Sequence, residues 1–309
     1  MIRKIFVLLA IAWGQYISGQ TEIKQAQEIA VSSHVNGTLL LPGEPEKPNL
    51  AIIIGSSGPT DRDGNQNFMQ NNVLKKLAEG LTRNGIATFR YDKRIVKQIR
   101  RGNVDKSILF DDFVHDARTV VEYFKATDSY KAIFLIGHGQ GSLVGMLASE
   151  EVNGFISISG AGKSFDQVII EQIEKTAPMF TEDTKKALTY LKAGEITFDY
   201  PEALESIFDV DLQPFMSNWM QYDPAEVVRS LQMPVLIING TKDLQVSTDE
   251  ALLLHRAVPD SQLKLIDKMN HIMVTIEGDD LENSKSYNEP YRKISTELVN
   301  HIKSFILKE

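Results

Sequence analysis

Ile133-Phe134-Leu135-Ile136-Gly137-His138-Gly139-Gln140-Gly141-Ser142 is an apolar strand that runs into a tight turn and leaves at once as a helix. Its glycine spacing is that of a G-x-S-x-G elbow, which holds its central side chain exposed at the tip of a sheet, but Gly139 stands where the serine belongs. The residues two before and two after the centre must be small so that strand and helix can cross closely, and Gly137 and Gly141 meet that demand. From Gln140 to Ser149, Leu143, Met146 and Leu147 recur at helical spacing among small residues, as suits a helix pressed on a sheet. A phosphate-binding glycine loop is the competing reading of strand, turn and helix. It requires a different glycine spacing or a following lysine, and neither is present here.

Outward from the elbow, apolar runs of strand length alternate with amphipathic runs of helix length. That order predicts an α/β fold, a mostly parallel sheet with helices on both faces. Ile29 to Val35 and Thr38 to Leu41, joined around Asn36-Gly37, are expected to open it as an antiparallel hairpin. Strands are expected at Leu50 to Ile54, Ala87 to Tyr91, Ala132 to Ile136, Phe155 to Ser159, Val235 to Asn239 and Leu263 to Ile266. Helices are expected over Asn72 to Arg83, Asp111 to Lys125 and about Tyr291 to Leu307. Between about 161 and 221 the pattern becomes helical, with Pro178, Pro201 and Pro214 and the rings of Phe165, Phe180, Tyr190, Phe198, Tyr200, Phe208, Phe215 and Trp219. This stretch is expected to be a helical cap over the carboxyl ends of the strands, where open α/β sheets bind ligands.

Composition narrows the class. The chain has 309 residues, 42% hydrophobic and 24% charged, which suits one large soluble domain with an insertion rather than disorder. Arg3 and Lys4, then apolar Ile5 to Trp13, then small and polar Gly14 to Gln20 have the layout of a signal peptide, 1–20, with an apolar run too short to span a bilayer. Residues 21–309 are then the mature domain, exported to the periplasm or the outside of the cell. Loss of Arg3 and Lys4 leaves 31 basic against 41 acidic side chains, a mature charge of about −10. No basic cluster suggests a nucleic acid or an anionic membrane. With no cysteine, thiol catalysis and zinc-thiolate sites are excluded.

Further motifs stand beside the elbow: Gly55-Ser56-Ser57-Gly58-Pro59-Thr60-Asp61-Arg62-Asp63-Gly64-Asn65, Arg90-Tyr91-Asp92-Lys93-Arg94, Asn239-Gly240-Thr241-Lys242-Asp243 and Asn270-His271. With them the whole mature chain resembles an α/β-hydrolase of the esterase and serine-aminopeptidase-like type. The Arg90 run departs from that pattern at Ile95, where the family continues with glycine, so the local loop is expected to differ. The resemblance implies Gly139 at the nucleophile position, Asp243 as the acid and His271 as the base. It implies an oxyanion hole made by the amides of Ser57 and Gln140, each such donor being worth roughly 2.7 to 4 kcal/mol in the transition state. The substrate class it implies is a small ester or other acyl compound. No cofactor or metal is implied.

The order of residues supports the assignment independently. Asp243 follows the strand Pro234 to Ile238, so its carboxylate should emerge at the sheet's catalytic edge, and His271 follows the next strand. Nucleophile, acid, histidine is the hydrolase order. His34, His115, His255 and His301 have no such placement, and His138 is expected to serve packing. Asp61 to Asn65 superficially suggests a calcium loop but lacks the downstream bidentate glutamate, so turn capping and an Asp–Arg pair are expected there.

Glycine at 139 leaves no oxygen for an acyl-enzyme at that position. Ser142, one turn into the helix, is recessed, and Ser56 and Ser57 fall in the oxyanion turn with no base expected beside them. In comparable triads, loss of the nucleophile removes a factor on the order of 10⁶ in kcat, so a nearly inactive hydrolase is the expectation. Three readings are compatible with this. One is an esterase lacking only its serine oxygen. Another is a ligand-binding protein, its fold relieved of about 1 to 3 kcal/mol of elbow strain by glycine. The last is a non-covalent enzyme in which Asp243 and His271 activate water.

Overall fold

The computed structural model describes residues 21–308, so the expected signal segment lies outside the described residues. In chain order the strands are Ile23–Ala30 (β1), Asn36–Pro42 (β2), Leu50–Ile54 (β3), Ala87–Tyr91 (β4), Ile133–His138 (β5), Gly154–Ile158 (β6), Val235–Gly240 (β7) and Gln262–Ile266 (β8). The helices are Val73–Thr82 (α1), Arg94–Arg100 (α2), Phe110–Ala126 (α3), Gln140–Ala148 (α4), Phe165–Thr176 (α5), Thr181–Lys192 (α6), Gln213–Trp219 (α7), Pro224–Arg229 (α8), Thr248–Ala257 (α9), Asp280–Ser286 (α10) and Thr296–Leu307 (α11). One sheet holds all these strands in the order β1-β2-β4-β3-β5-β6-β7-β8. The pairings β1 with β2 and β2 with β4 are antiparallel, and the rest are parallel.

Alternation within the strands divides the core between two layers. Leu50, Ile52 and Ile54 of β3, Leu135 of β5 and Val235 and Ile237 of β7 pack with Val120 and Val121 of α3, Leu143 of α4 and Leu254 of α9. Their neighbours Ala51 and Ile53, Phe134 and Ile136, and Leu236 and Ile238 face the other way, onto Leu74 and Leu77 of α1 and Leu298 and Ile302 of α11. Strands buried on both faces must be apolar at every position, which is why these read as continuous runs. After β3 the chain leaves toward α1 on one face, and after β5 toward α4 on the other. The carboxyl ends of the adjacent β3 and β5 therefore diverge into a crevice, the topological switch point of the sheet.

Two boundaries differ from the sequence reading. The opening hairpin turns at residues 31–35, not at Asn36-Gly37; the Ser32 hydroxyl oxygen accepts the amides of His34 and Val35, and Gly37 lies within β2. Its glycine answers a contact rather than a turn, because a Cβ there would lie 2.3 Å from the ring of Phe89. The closing helix begins at Thr296, capped by the Ser295 hydroxyl, which accepts the amide of Leu298; the residues before it make a short bridge between Ile294 and Val274. Where the Arg90 run departs from the family pattern at Ile95, the chain forms α2.

The segment between β6 and β7 contains α5, α6, α7 and α8 and two short 3₁₀ turns, Pro178–Phe180 and Glu202–Leu204. It has its own apolar cluster of Ile173, Ala187, Leu188, Leu191, Leu204, Phe208, Met216 and Met220. A seam of rings joins it to α3: Trp219 stacks between Phe165 and Phe110, at 4.0 and 5.5 Å between centroids. Among the described residues, no helix is long and apolar enough to cross a membrane.

Candidate active site

The elbow has the geometry its glycines suggested. A Cβ on Gly137 would lie 2.3 Å from the carbonyl oxygen of Gly141, and one on Gly141 would lie 2.5 Å from that of Ile54, so strand and helix cross without room for side chains. Gly139 is held at φ 55°, ψ −120°, a conformation that side chains rarely adopt, with its amide bonded to the Ile158 carbonyl at 3.0 Å. Gln140 opens α4, whose first-turn amides have no acceptor within the helix. Ser142 turns away from the crevice, its hydroxyl 2.7 Å from that of Ser157.

Asp243 and His271 meet at the same edge. Asp243 follows β7 in a turn, where its Oδ1 accepts the amides of Gln245 and Val246 at 2.8 and 2.9 Å. Its Oδ2 is 3.0 Å from His271 Nδ1, with both side chains buried. Burial alone would raise the Asp243 carboxyl, but the neighbouring imidazole and the donated hydrogen bonds outweigh it and hold the group below the usual carboxylate range. An ionised Asp243 requires a proton on Nδ1, leaving His271 Nε2 as the acceptor. That nitrogen faces Gly139: a Cβ built there would lie 3.4 Å from it. The structure thus brings the nucleophile position, Asp243 and His271 together, and sets Ser57 and Gln140 on the facing turns.

Several residues that complete the arrangement were missed or given another role from sequence. His138, expected to serve packing, places Nε2 2.8 Å from the His271 carbonyl oxygen and so ties elbow to histidine loop. Asn270 anchors that loop: Nδ2 reaches Asn283 Oδ1 and Ser286 Oγ at 2.8 and 2.9 Å, and Oδ1 accepts the Val274 amide at 3.0 Å. Lys93 joins the two turns by donating to Gln140 Oε1 at 2.7 Å and to the Gly58 carbonyl at 3.3 Å, above the ring of Phe113. Burial pushes its ammonium down to about 7. Ser56, given no base from sequence, has its Oγ 3.4 Å from His271 Nε2. The signal for Lys93 and Asn270 was their place in strings that immediately follow strands. The contacts of Ser56 and His138 are nonlocal and left no local mark. The expected turn capping is present, with Asp61 Oδ1 accepting the amides of Asp63 and Asn65 and Arg62 paired to Asp92 at 2.7 Å.

His138 carries a pH signature. Desolvation, with the neighbouring His271 second, lowers it to about 3, so the folded protein keeps it neutral with Nε2–H donating. An unfolded chain takes up that proton near pH 6.5. Stability is therefore complete above 6.5 and declines as pH falls toward the folded value, by about 2 kcal/mol at pH 5. Urea midpoints at pH 7 and pH 5 should separate for the unaltered chain and draw together in His138→Gln, which keeps a donor without a titration.

Comparison with known proteins agrees with this fold. The model of the serine aminopeptidase S33 family matches residues 70–207, a span that contains the elbow and the first part of the insertion. Esterase EstD of Thermotoga maritima is 26% identical over 261 residues, and the match takes in 79% of this chain and 60% of that protein's length. Est1E from Butyrivibrio proteoclasticus superposes with a TM-score of 0.58 at 20% identity, over 92% of this chain and 98% of that one. An esterase of Pyrococcus furiosus does so at 0.53 and 15%, over 93% and 91%. Sheet order and these likenesses together show an α/β-hydrolase fold, in a chain similar to esterases and to serine aminopeptidases.

Proposed function

We propose that this chain hydrolyses small carboxylic esters, with His271 as general base, Asp243 fixing its tautomer, and the amides of Ser57 and Gln140 receiving the negative charge that develops on the carbonyl oxygen. The observation that carries this is the Asp243–His271 contact of 3.0 Å, which leaves Nε2 directed at the crevice beside Gly139. A buried, oriented acid–base pair has no evident structural purpose at a sheet edge, where its desolvation is a cost. The similarity to Esterase EstD supports the same chemistry. Residue 139 offers no oxygen, so the hydroxyl that His271 deprotonates comes from elsewhere.

The helices between residues 161 and 221 are, in this reading, a cap that sets the acyl preference. Most of their rings favour hydrolase over ligand-binding protein: Tyr190 and Phe198 are exposed, but Phe208 is buried in the insertion's own cluster and Phe165, Phe215 and Trp219 pack inward. Export belongs to the same reading, and rests on the layout of residues 1–20. The test is release of p-nitrophenol from short-chain esters by the unaltered chain, with His271→Ala beside it. Turnover that depends on His271 is expected. Absence of turnover, or turnover indifferent to His271, overturns the proposal.

A further inference from the structure

We propose that Ser56 supplies the nucleophilic oxygen that position 139 lacks; the inference rests on the ester-hydrolase reading above and specifies its covalent step. Strand register brings the two positions together. Ile54 of β3 pairs with Gly137 of β5, so two residues further along each strand Ser56 stands beside Gly139. A Cβ built on Gly139 would lie only 2.1 Å from Ser56 Oγ. The hydroxyl of Ser56 therefore fills the space a side chain at 139 would enter, and from there its Oγ is 3.4 Å from His271 Nε2. A contact of that length is usual for a catalytic pair without substrate, since such bonds tighten in the Michaelis complex.

Other nearby hydroxyls are engaged elsewhere. Ser142 is bonded to Ser157, and Ser159 donates to Asn239 Oδ1 at 3.1 Å. Ser56 is partly exposed at the mouth of the crevice, and its turn is braced by Thr60, whose hydroxyl donates to the Ser57 carbonyl at 2.8 Å. The oxyanion donors survive the exchange. In hydrolases of this fold one donor is the amide following the nucleophile and the other comes from the facing loop. With Ser56 attacking, the following amide is that of Ser57 and the facing one that of Gln140, so the same pair serves with roles exchanged.

The chemistry balances without a co-reactant other than water. Ser56 Oγ bonds to the ester carbonyl carbon as His271 Nε2 takes its proton. The tetrahedral adduct then breaks its carbon–alkoxy bond, and the alcohol leaves with the proton from Nε2. Water, deprotonated by the same nitrogen, attacks the acyl carbon. The carbon–Oγ bond breaks, Ser56 recovers its proton and the carboxylic acid departs.

The experiment treats the full chain with a fluorophosphonate and maps the modified peptide, alongside p-nitrophenyl ester turnover. The expected label falls on Ser56 and is lost in both Ser56→Ala and His271→Ala, and turnover drops by on the order of 10³ or more in Ser56→Ala. Label on another residue, or His271-dependent turnover unchanged in Ser56→Ala, overturns the assignment of Ser56 while leaving ester hydrolysis in place. No turnover and no label in the unaltered chain overturns both. Because the chain has no cysteine, Ser56→Cys adds a single readable thiol. Its alkylation by iodoacetamide should titrate at least about one unit below the free-thiol value near 8.5 and move back up in the His271→Ala background. A thiol that titrates as a free one in both backgrounds overturns the coupling.

Discussion

Gly139→Ser is expected to raise ester turnover in a Ser56→Ala background and to lower it in the unaltered chain. Both signs follow from one overlap, the 2.1 Å between Ser56 Oγ and a Cβ at 139. With Ser56 present, the incoming side chain must push that hydroxyl out of its place beside His271, so one oxygen is displaced as another arrives, and a loss of about tenfold is expected. With alanine at 56 the space is free. A serine at 139 then sits at the elbow tip with His271 Nε2 within reach, and should recover about 10² of the roughly 10³ or more that Ser56→Ala removes. The gain has a stability cost, since a non-glycine residue at φ 55° stores about 1 to 3 kcal/mol. The double variant should therefore unfold at lower urea than Ser56→Ala alone. Kinetics of the four proteins on one p-nitrophenyl ester decide the matter, and equal effects of Gly139→Ser in both backgrounds would show that the two positions do not share one site.

Asp243→Asn is expected to lower kcat by about 10⁴, nearly as much as His271→Ala, with little further loss when the two are combined. The reason lies in which proton sits where. Asp243 Oδ1 is held by the amides of Gln245 and Val246, and an asparagine oxygen can accept both as well. Its amino group then faces His271 Nδ1 and donates to it, which moves the imidazole proton to Nε2 and leaves no acceptor for a hydroxyl. The fold should survive, so kcat measured beside an unchanged circular dichroism spectrum separates the tautomer effect from unfolding. Multiplicative losses in the double variant would mean that the two side chains do not act as a unit.

The sequence reading succeeded where sterics act locally. Gly137 and Gly141 mark a crossing that tolerates no side chain, and continuous apolar runs mark strands covered on both faces, so elbow, sheet and inserted helices were legible. So was the meeting of Asp243 with His271, because each follows a strand that ends at the same edge of the sheet. It failed where a residue serves a distant one. Asn36-Gly37 resembles a turn, yet Gly37 is needed by the ring of Phe89, a neighbour that only β2–β4 pairing supplies. Ser56 reads as part of a donor turn, and only the register between β3 and β5 brings it against Gly139 and His271. Lys93 follows β4 in a charged run, and nothing local says that its ammonium is buried between two turns.

The apolar cluster enclosed within the inserted helices separates two kinds of inheritance. Ile173, Leu188, Leu191 and Phe208 satisfy one another, whereas the sheet is closed by other residues, and the two cores meet along a seam of rings that includes Phe110, Phe113, Phe165, Phe215 and Trp219. A change of length or sequence within the insertion is therefore expected to leave Asp243 and His271 in place, provided that the ring seam is kept. In the proposed reading, what is admitted to the crevice can therefore change while what happens there does not.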